Sequence, residues 1–263
     1  MNGAIDISYW ALALSAAFAL APIVLSAAFR LRLVKDVVVS SLRMSAQLAL
    51  VGFFLEYLFA WNNAWLNVAW FATMVVFASF AAVGRSSLNW RRFFFPMFAA
   101  FLIAGGSTTL LLNLFVVDLE NPFSARYVIA VGGMLLSNSM RGTIVGVGDF
   151  YHDLRRDEGL YLFRLTLGAT FFEAAAPYFR RSVRAALKPT IAAMATMGVV
   201  SLPGMMTGQL LGGSSPAVAV KYQIAIVFAI LGATTLTVAL GIGLTYRFAI
   251  DAYGRLKEEW LGD

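Results

Sequence analysis

The chain has no cysteine and a single histidine, His152. That excludes a disulfide framework, a thiolate metal site and a cysteine nucleophile, and one imidazole is too few for a histidine-based metal centre. Charge is scarce as well. Only 13% of the 263 residues are charged, where a soluble domain carries about a quarter. The alternating apolar and polar positions of a membrane barrel are missing, so a closed sheet is excluded. No G-x-x-x-x-G-K-[ST] phosphate loop occurs, so the chain has no cradle of that kind for ATP. No self-similarity at about 20–50 residues marks a repeat array.

What is present is grease: 60% of the residues are hydrophobic. Several apolar runs reach the roughly 20 residues that cross about 30 Å of hydrocarbon as helix. The fold class is all-α, a polytopic membrane protein with about seven transmembrane helices in one domain, residues 1–263. The spans are expected near Ser8–Phe29, Val37–Ala60, Ala64–Val83, Phe93–Val117, Phe123–Val147, Pro189–Gly212 and Val218–Phe248. The first is too long for a signal-peptide core, lacks a basic leader and is followed by Arg30 and Arg32, so it reads as a retained span. Trp61 and Trp65 flank a turn suited to the membrane interface, and Gly84-Arg85-Ser86-Ser87 closes the third span.

The net charge of +6 resides mainly in loops, the pattern of the positive-inside rule rather than of a nucleic-acid surface. With Arg30, Arg32 and Lys35 placed in the cytoplasm, sixteen of the twenty Lys and Arg residues fall on that side. The N-terminus is then outside and the C-terminus inside, with a charged tail from Arg255 to Asp263. An odd number of spans in so short a chain argues against a self-contained inverted repeat and for one half of a dimer.

Charge concentrates between the fifth and sixth spans, in a cytoplasmic loop over residues 149–188. Leu160, Phe163 and Leu167 recur at helical spacing with Arg156, Asp157 and Arg164 between them, an amphipathic helix at the membrane surface. Gly168 breaks it. Thr170-Phe171-Phe172-Glu173 is a capping box that starts another helix. Pro177 lacks an N–H, so the expectation is a short stub, Phe171–Ala176, followed by a new helix from Pro177. That helix carries Arg180, Arg184 and Lys188 on one face.

The sixth span, within residues 189–213, is expected to be broken. Pro203 removes a backbone hydrogen bond and pushes Leu202 out of helical geometry. Gly204, Gly208 and Gly212 recur every four residues, a stripe that permits close helix packing. The break falls near the bilayer midplane, where transporters place hinges and substrates. Candidate pathway residues are Gln47, Asn138, Met140, Ser201, Met205, Met206 and Gln209, polar or thioether groups within spans. Tyr222 and Gln223 open the seventh span, Glu56 lies near the outer end of the second, Arg43 and Arg141 sit within span ends, and Met134 lies near the expected pathway.

Several motifs together carry a family resemblance. They are Asn138-Ser139-Met140, Leu167-Gly168-Ala169-Thr170, Ser182 to Thr190, Ser201-Leu202-Pro203-Gly204-Met205-Met206-Thr207-Gly208 and Lys221-Tyr222-Gln223. Over residues 132–225 the chain resembles the FetB-type iron export permease family, itself similar to plant permease subunits linked to aluminium tolerance. The resemblance implies the permease subunit of an ABC transporter in the inner (plasma) membrane, a homodimer working with two copies of a separate cytoplasmic ATPase. ATP and Mg would be held by that partner and no cofactor by this chain, which is not itself an enzyme. Gly168, Ala169, Thr170, Phe171, Phe172, Glu173 and Ala174 would form the ATPase-coupling element, with Pro203 as hinge. The cargo implied is iron or another metal species, although no carboxylate cage for a hard metal is visible. Two alternatives stand beside it: an ABC permease for a non-metal solute such as a nucleotide sugar, and a non-transporting membrane scaffold or sensor.

Overall fold

The computed structural model describes residues 6–86, 88–251 and 253–257. Ser87 and the part of the expected charged tail beyond Lys257 lie outside the described residues. Ten α-helices follow one another there. They are α1 (Tyr9–Ser15), α2 (Leu20–Ala28), α3 (Val34–Trp61), α4 (Ala64–Arg85), α5 (Trp90–Leu111), α6 (Gly132–Arg156), α7 (Glu158–Thr166), α8 (Phe171–Thr196), α9 (Gly204–Leu211) and α10 (Pro216–Ala249). A 3₁₀ turn joins α1 to α2, and π-helical turns extend α5 to Val116 and begin α6 at Arg126. No strand occurs among the described residues.

Six of these segments are long and apolar enough to cross a membrane: Tyr9–Ala28, Val34–Trp61, Ala64–Arg85, Trp90–Val116, Arg126–Arg156 and Pro216–Ala249. They match six of the seven expected spans. The remaining one, expected at Pro189–Gly212, is not a single helix. Its first third is the end of α8, its last third is α9, and Met197–Pro203 between them is non-helical. Pro203 caps α9 in extended geometry, as the sequence suggests. The break is wider than one proline makes it. Gly198 takes a φ of +86°, and its N–H closes a tight turn onto the Ser201 carbonyl at 2.9 Å.

The core is built from α4, α5, α6 and α10. α6 and α10 run parallel and in register. Tyr127 meets Tyr222 at 3.1 Å near one end, and Tyr151 donates to Thr245 at 2.9 Å near the other. Between these points Gly142 faces Thr234 and Gly146 faces Val238. The same two glycines face α8: the Ala186 carbonyl lies 3.5 Å from a Cβ built at Gly142, and the Ala186 methyl 3.1 Å from one built at Gly146. Two glycines one turn apart thus let three helices meet at a distance that side chains would forbid.

Two anchor points set the height of the bundle. At the end holding the α3–α4 turn, Asn62 (φ +41°) accepts a hydrogen bond from the Ala125 N–H at 2.9 Å, and Asn67 donates to the Phe123 carbonyl at 2.8 Å. At the basic end, Ser86 at the close of α4 reaches the Ile144 carbonyl at 3.4 Å. From residue 125 to 144 a helix rises about 28 Å, close to the hydrocarbon thickness of a bilayer. α1–α3 stand apart: the described contact of α3 with the core is at its far end, where buried Leu58 meets Ala125 and Ile129.

The expected stub at Phe171–Ala176 is also not a separate helix. α8 runs unbroken from Phe171 to Thr196, with Pro177 and Pro189 inside it. Proline's φ is compatible with helix, and the carbonyl left without a donor by Pro177 is that of exposed Glu173. Ala174, Ala175, Tyr178, Ser182 and Ala186 meanwhile form one buried stripe along α8. Burial of that stripe outweighs two lost hydrogen bonds.

The glycine seam generates a prediction. Gly146→Val should destabilise the folded chain by about 1–3 kcal/mol, the usual range for overpacking. Gly208→Val should not, because a Cβ built there meets nothing within 4 Å. Thermal unfolding of the detergent-solubilised protein separates the two; equal destabilisation would contradict the seam.

Candidate functional site

Two places concentrate functional geometry, and α8 joins them. The first is the turn between α7 and α8. Gly168 has a φ of +91°, a region open to glycine at little cost. Its N–H donates to the Leu165 carbonyl at 3.0 Å, and the Ala169 N–H reaches back to the Arg164 carbonyl at 3.1 Å. This is a Schellman closure of α7. It is followed at once by the expected capping box of α8. The Glu173 N–H donates to Thr170 Oγ1 at 3.3 Å, and the Thr170 N–H donates to Glu173 Oε2 at 2.8 Å. A helix stop and a helix start are thus set back to back with no free residue between them, which makes the turn stiff.

Polar and aromatic groups bolt this turn to the bundle. Arg164 donates to the Ala174 carbonyl at 3.2 Å and lies over the Tyr178 ring. Arg181 covers the same ring and pairs with Asp153 at 3.4 Å and Asp157 at 3.6 Å, tying α8 to the end of α6. Tyr246 of α10 donates to the Phe171 carbonyl at 2.9 Å. Its one hydrogen being so used, Tyr161 is the donor in the 2.9 Å contact between their hydroxyls. Burial pushes the Tyr161 phenol above its ordinary pKa, which keeps that proton in place. The Arg156 guanidinium holds the Asp157 carboxyl below the usual range, and hydrogen bonds from Thr170 do the same for Glu173.

What the turn exposes is apolar. Phe172 is 64% and Leu167 71% accessible, and Leu160, Phe163 and Phe171 continue the patch. Ala174, expected on this surface, is instead fully buried. Its place on the inner stripe of α8 makes it a packing residue, so the part of the expected coupling element left at the surface is Gly168–Glu173.

The second place is a cavity of about 550 Å³ at the broken segment. α6 lines it with Met134, Asn138 and Arg141, α8 with Pro189, Thr190 and Met194, and α10 with Gln223, Val227 and Ile230; Met197 and Pro203, at the two ends of the break, close one side. Asn138 donates from Nδ2 to the Met134 carbonyl of its own helix at 2.8 Å. Gln223 is 6% exposed; its Nε2 lies 3.9 Å from the Met197 sulfur and its Oε1 has no partner.

Of the expected pathway residues, only Asn138 lines this cavity, together with the hinge residue Pro203. Met140 packs against the main core and Met205 against the smaller core at the other end of the bundle. Met206 and Gln209 are half-buried on α9, Ser201 is exposed in the break, and Gln47 is exposed on α3. Gly204, Gly208 and Gly212 face no other helix within this chain. Met194 and Met197 escaped the sequence reading. Spacing could have pointed to the α6 face, because Met134, Asn138, Arg141 and Val145 fall on one side of a helix. No group of three or more His, Cys, Asp or Glu placed to hold a metal ion occurs among the described residues.

Long apolar helices closed by a basic end, with a mainly apolar cavity between them, define a multi-pass helical membrane protein. Within that class, the chain belongs to the family described as "Uncharacterised protein family (UPF0014)", which it matches over residues 9–250. It is similar to the "Probable iron export permease protein FetB" of Escherichia coli (strain K12), 33% identical over 249 residues that make up 92% of each chain. It is also similar to the "UPF0014 membrane protein STAR2" of Oryza sativa subsp. japonica, 34% identical over 85% of this chain and 77% of that one. A third relative, the "Protein ALUMINUM SENSITIVE 3" of Arabidopsis thaliana, is 32% identical over 82% and 77% respectively. No solved structure matches the chain.

The stiff turn yields two predictions. Thr170→Ala should cost about 1 kcal/mol through the lost cap, seen as faster hydrogen exchange in the first turn of α8. Glu173 and Asp157 both have folded pKa values lowered from ordinary values of 4.5 and 3.8. Their contribution is therefore present at neutral pH and is lost as pH falls below those values through the lower folded ones. Hydrogen-exchange protection factors across α7 and α8, taken relative to the intrinsic rate at each pH, should fall in that acidic window and stay constant between pH 6 and 8, the latter a range in which roughly all such carboxylates are ionised.

Proposed function

We propose that the chain is the membrane-spanning permease subunit of an ABC transporter, a homodimer in the inner (plasma) membrane driven by two copies of a separate ATPase that holds ATP and Mg. The basic end then lies in the cytoplasm, with the N-terminus outside. The seventh crossing is the pair of half-helices formed by the end of α8 and by α9. Supporting this, α8 packs through Ala186 near the basic end of α6, whereas α10 begins beside Tyr127 at the opposite end. The segment between them must therefore traverse the height of the bundle.

The observation that carries the reading is the turn Leu167–Glu173. It is an apolar, exposed, doubly capped corner at the basic end, placed on the same helix that lines the cavity. A partner pressing on Phe171 and Phe172 moves α8 as one rod about 39 Å long. Met197–Pro203 is the joint at its far end, where Ser201 and α9, with Met205, Met206 and Gln209, complete the pathway. The exposed face of α3, which carries Gln47, is where a second copy closes that pathway.

The cargo proposed from the relatives is iron or another metal species, exported. A bare hard cation prefers carboxylate oxygens, and no Asp or Glu lines the cavity. The lining favours a metal carried in a complex, or a non-metal solute.

Phe172→Asp should weaken binding of the cognate ATPase by about 2 kcal/mol or more, as for an exposed aromatic anchor. Transport and permease-dependent ATPase activity should fall with it while the permease stays folded. Unchanged coupling in reconstituted vesicles would overturn the assignment of the turn.

A further inference from the structure

Arg141 is a charged residue placed where charge is expensive. It lies three residues before Ile144, the position that the end of α4 reaches, inside the long apolar segment Arg126–Arg156, and its side chain is exposed where it lines the cavity. Of the four arginines and lysines that fall outside the expected cytoplasmic set, it is the one that lines the cavity. Among the described residues no carboxylate pairs with it: the salt bridges there involve Arg156 and Arg181 only. The cavity wall holds no Asp or Glu to neutralise it.

A guanidinium so placed repels a free metal cation and attracts an anion. Two further groups refine the match. Gln223, buried in the same wall, presents an Oε1 with no donor. Asn138 gives one of its two Nδ2 hydrogens to its own helix, leaving its carbonyl oxygen and one N–H to offer. A buried acceptor without a partner costs free energy that a ligand donor recovers. Methionines 134, 194 and 197 supply the apolar, adaptable remainder of the wall.

We propose that this cavity is the cargo site and that its cargo is an anion bearing hydroxyl or N–H donors. Arg141 holds the negative group, and Gln223 and Asn138 accept from the donors. A metal leaving by this route travels as an anionic complex of a hydroxy acid, not as a free ion. This deepens the permease reading and rests on it only for the direction and energy of movement; binding itself needs no ATPase.

The test uses the full chain alone in nanodiscs, without its ATPase, so that failed binding is distinct from failed coupling. Binding of citrate, ferric citrate, ferrous ion and tricarballylate (citrate without its hydroxyl) is measured calorimetrically. Citrate or its ferric complex should bind, and Arg141→Gln should weaken it by about tenfold or more while Arg141→Lys retains most of it. Gln223→Met should weaken citrate but leave tricarballylate unchanged, an effect that general misfolding would not produce. Unaltered melting temperatures confirm that all three variants fold. Each measurement is made in phosphatidylcholine discs and again with phosphatidylglycerol added, to separate a soluble anion from a lipid headgroup. Binding of ferrous ion alone, no binding of either citrate species, or an Arg141 effect confined to retention of phosphatidylglycerol would each overturn the proposal.

Discussion

The close approach of α6, α8 and α10 at Gly142 and Gly146 is the contact on which the rest depends. In a membrane, water does not drive helices together, so association relies on packing and on satisfied polar groups. A seam that admits the backbone of α8 beside two glycines fixes one point on that helix firmly. Everything toward Phe171 is then held at the basic end, and everything toward Thr196 lies against the cavity. The same seam keeps α10 parallel to α6, which carries Tyr246 to the α7–α8 turn and Gln223 to the cavity on one continuous helix.

The polar groups divide along this geometry. At the basic end, three arginines build the corner: Arg156 and Arg181 share Asp153 and Asp157, and Arg164 is spent on the Ala174 carbonyl and the Tyr178 ring. Those groups build a stiff corner. In the cavity, Arg141 and the Gln223 carbonyl have no such partners. On the reading proposed above, a stiff α7–α8 turn, unmet polarity in the cavity and a non-helical joint at Met197–Pro203 are the arrangement expected of a driven permease.

Much of this was legible in the chain. Long apolar runs located six spans closely, because length and hydropathy are direct consequences of bilayer thickness. The capping box at Thr170–Glu173 and the stop at Gly168 are local hydrogen-bond chemistry, and the structure has them as expected. One reading failed through tertiary packing, and one seam was not read at all. Pro177 was expected to divide a helix, but the buried stripe from Ala174 to Ala186 holds α8 together across it. The glycine pattern at Gly204, Gly208 and Gly212 drew attention by its regularity, whereas the seam within the chain uses Gly142 and Gly146, whose role appears only once Thr234, Val238 and Ala186 are brought opposite. Met194, Met197 and Gln223 joined the cavity for the same reason: nothing in their spacing says which helices will face one another.

The central claim is that α8 moves as a rigid lever and that bending is confined to the segment after it. The absence of cysteine allows spin labels to be placed at will. Pairs at Arg180 and Ile191, both exposed on α8, and at Ile191 and Leu211, across the break, would be measured by pulsed electron resonance with the ATPase partner in its nucleotide-free and ATP-bound states. The Arg180–Ile191 distance should stay constant while the Ile191–Leu211 distance shifts. A change within α8 with a constant distance across the break would contradict the account.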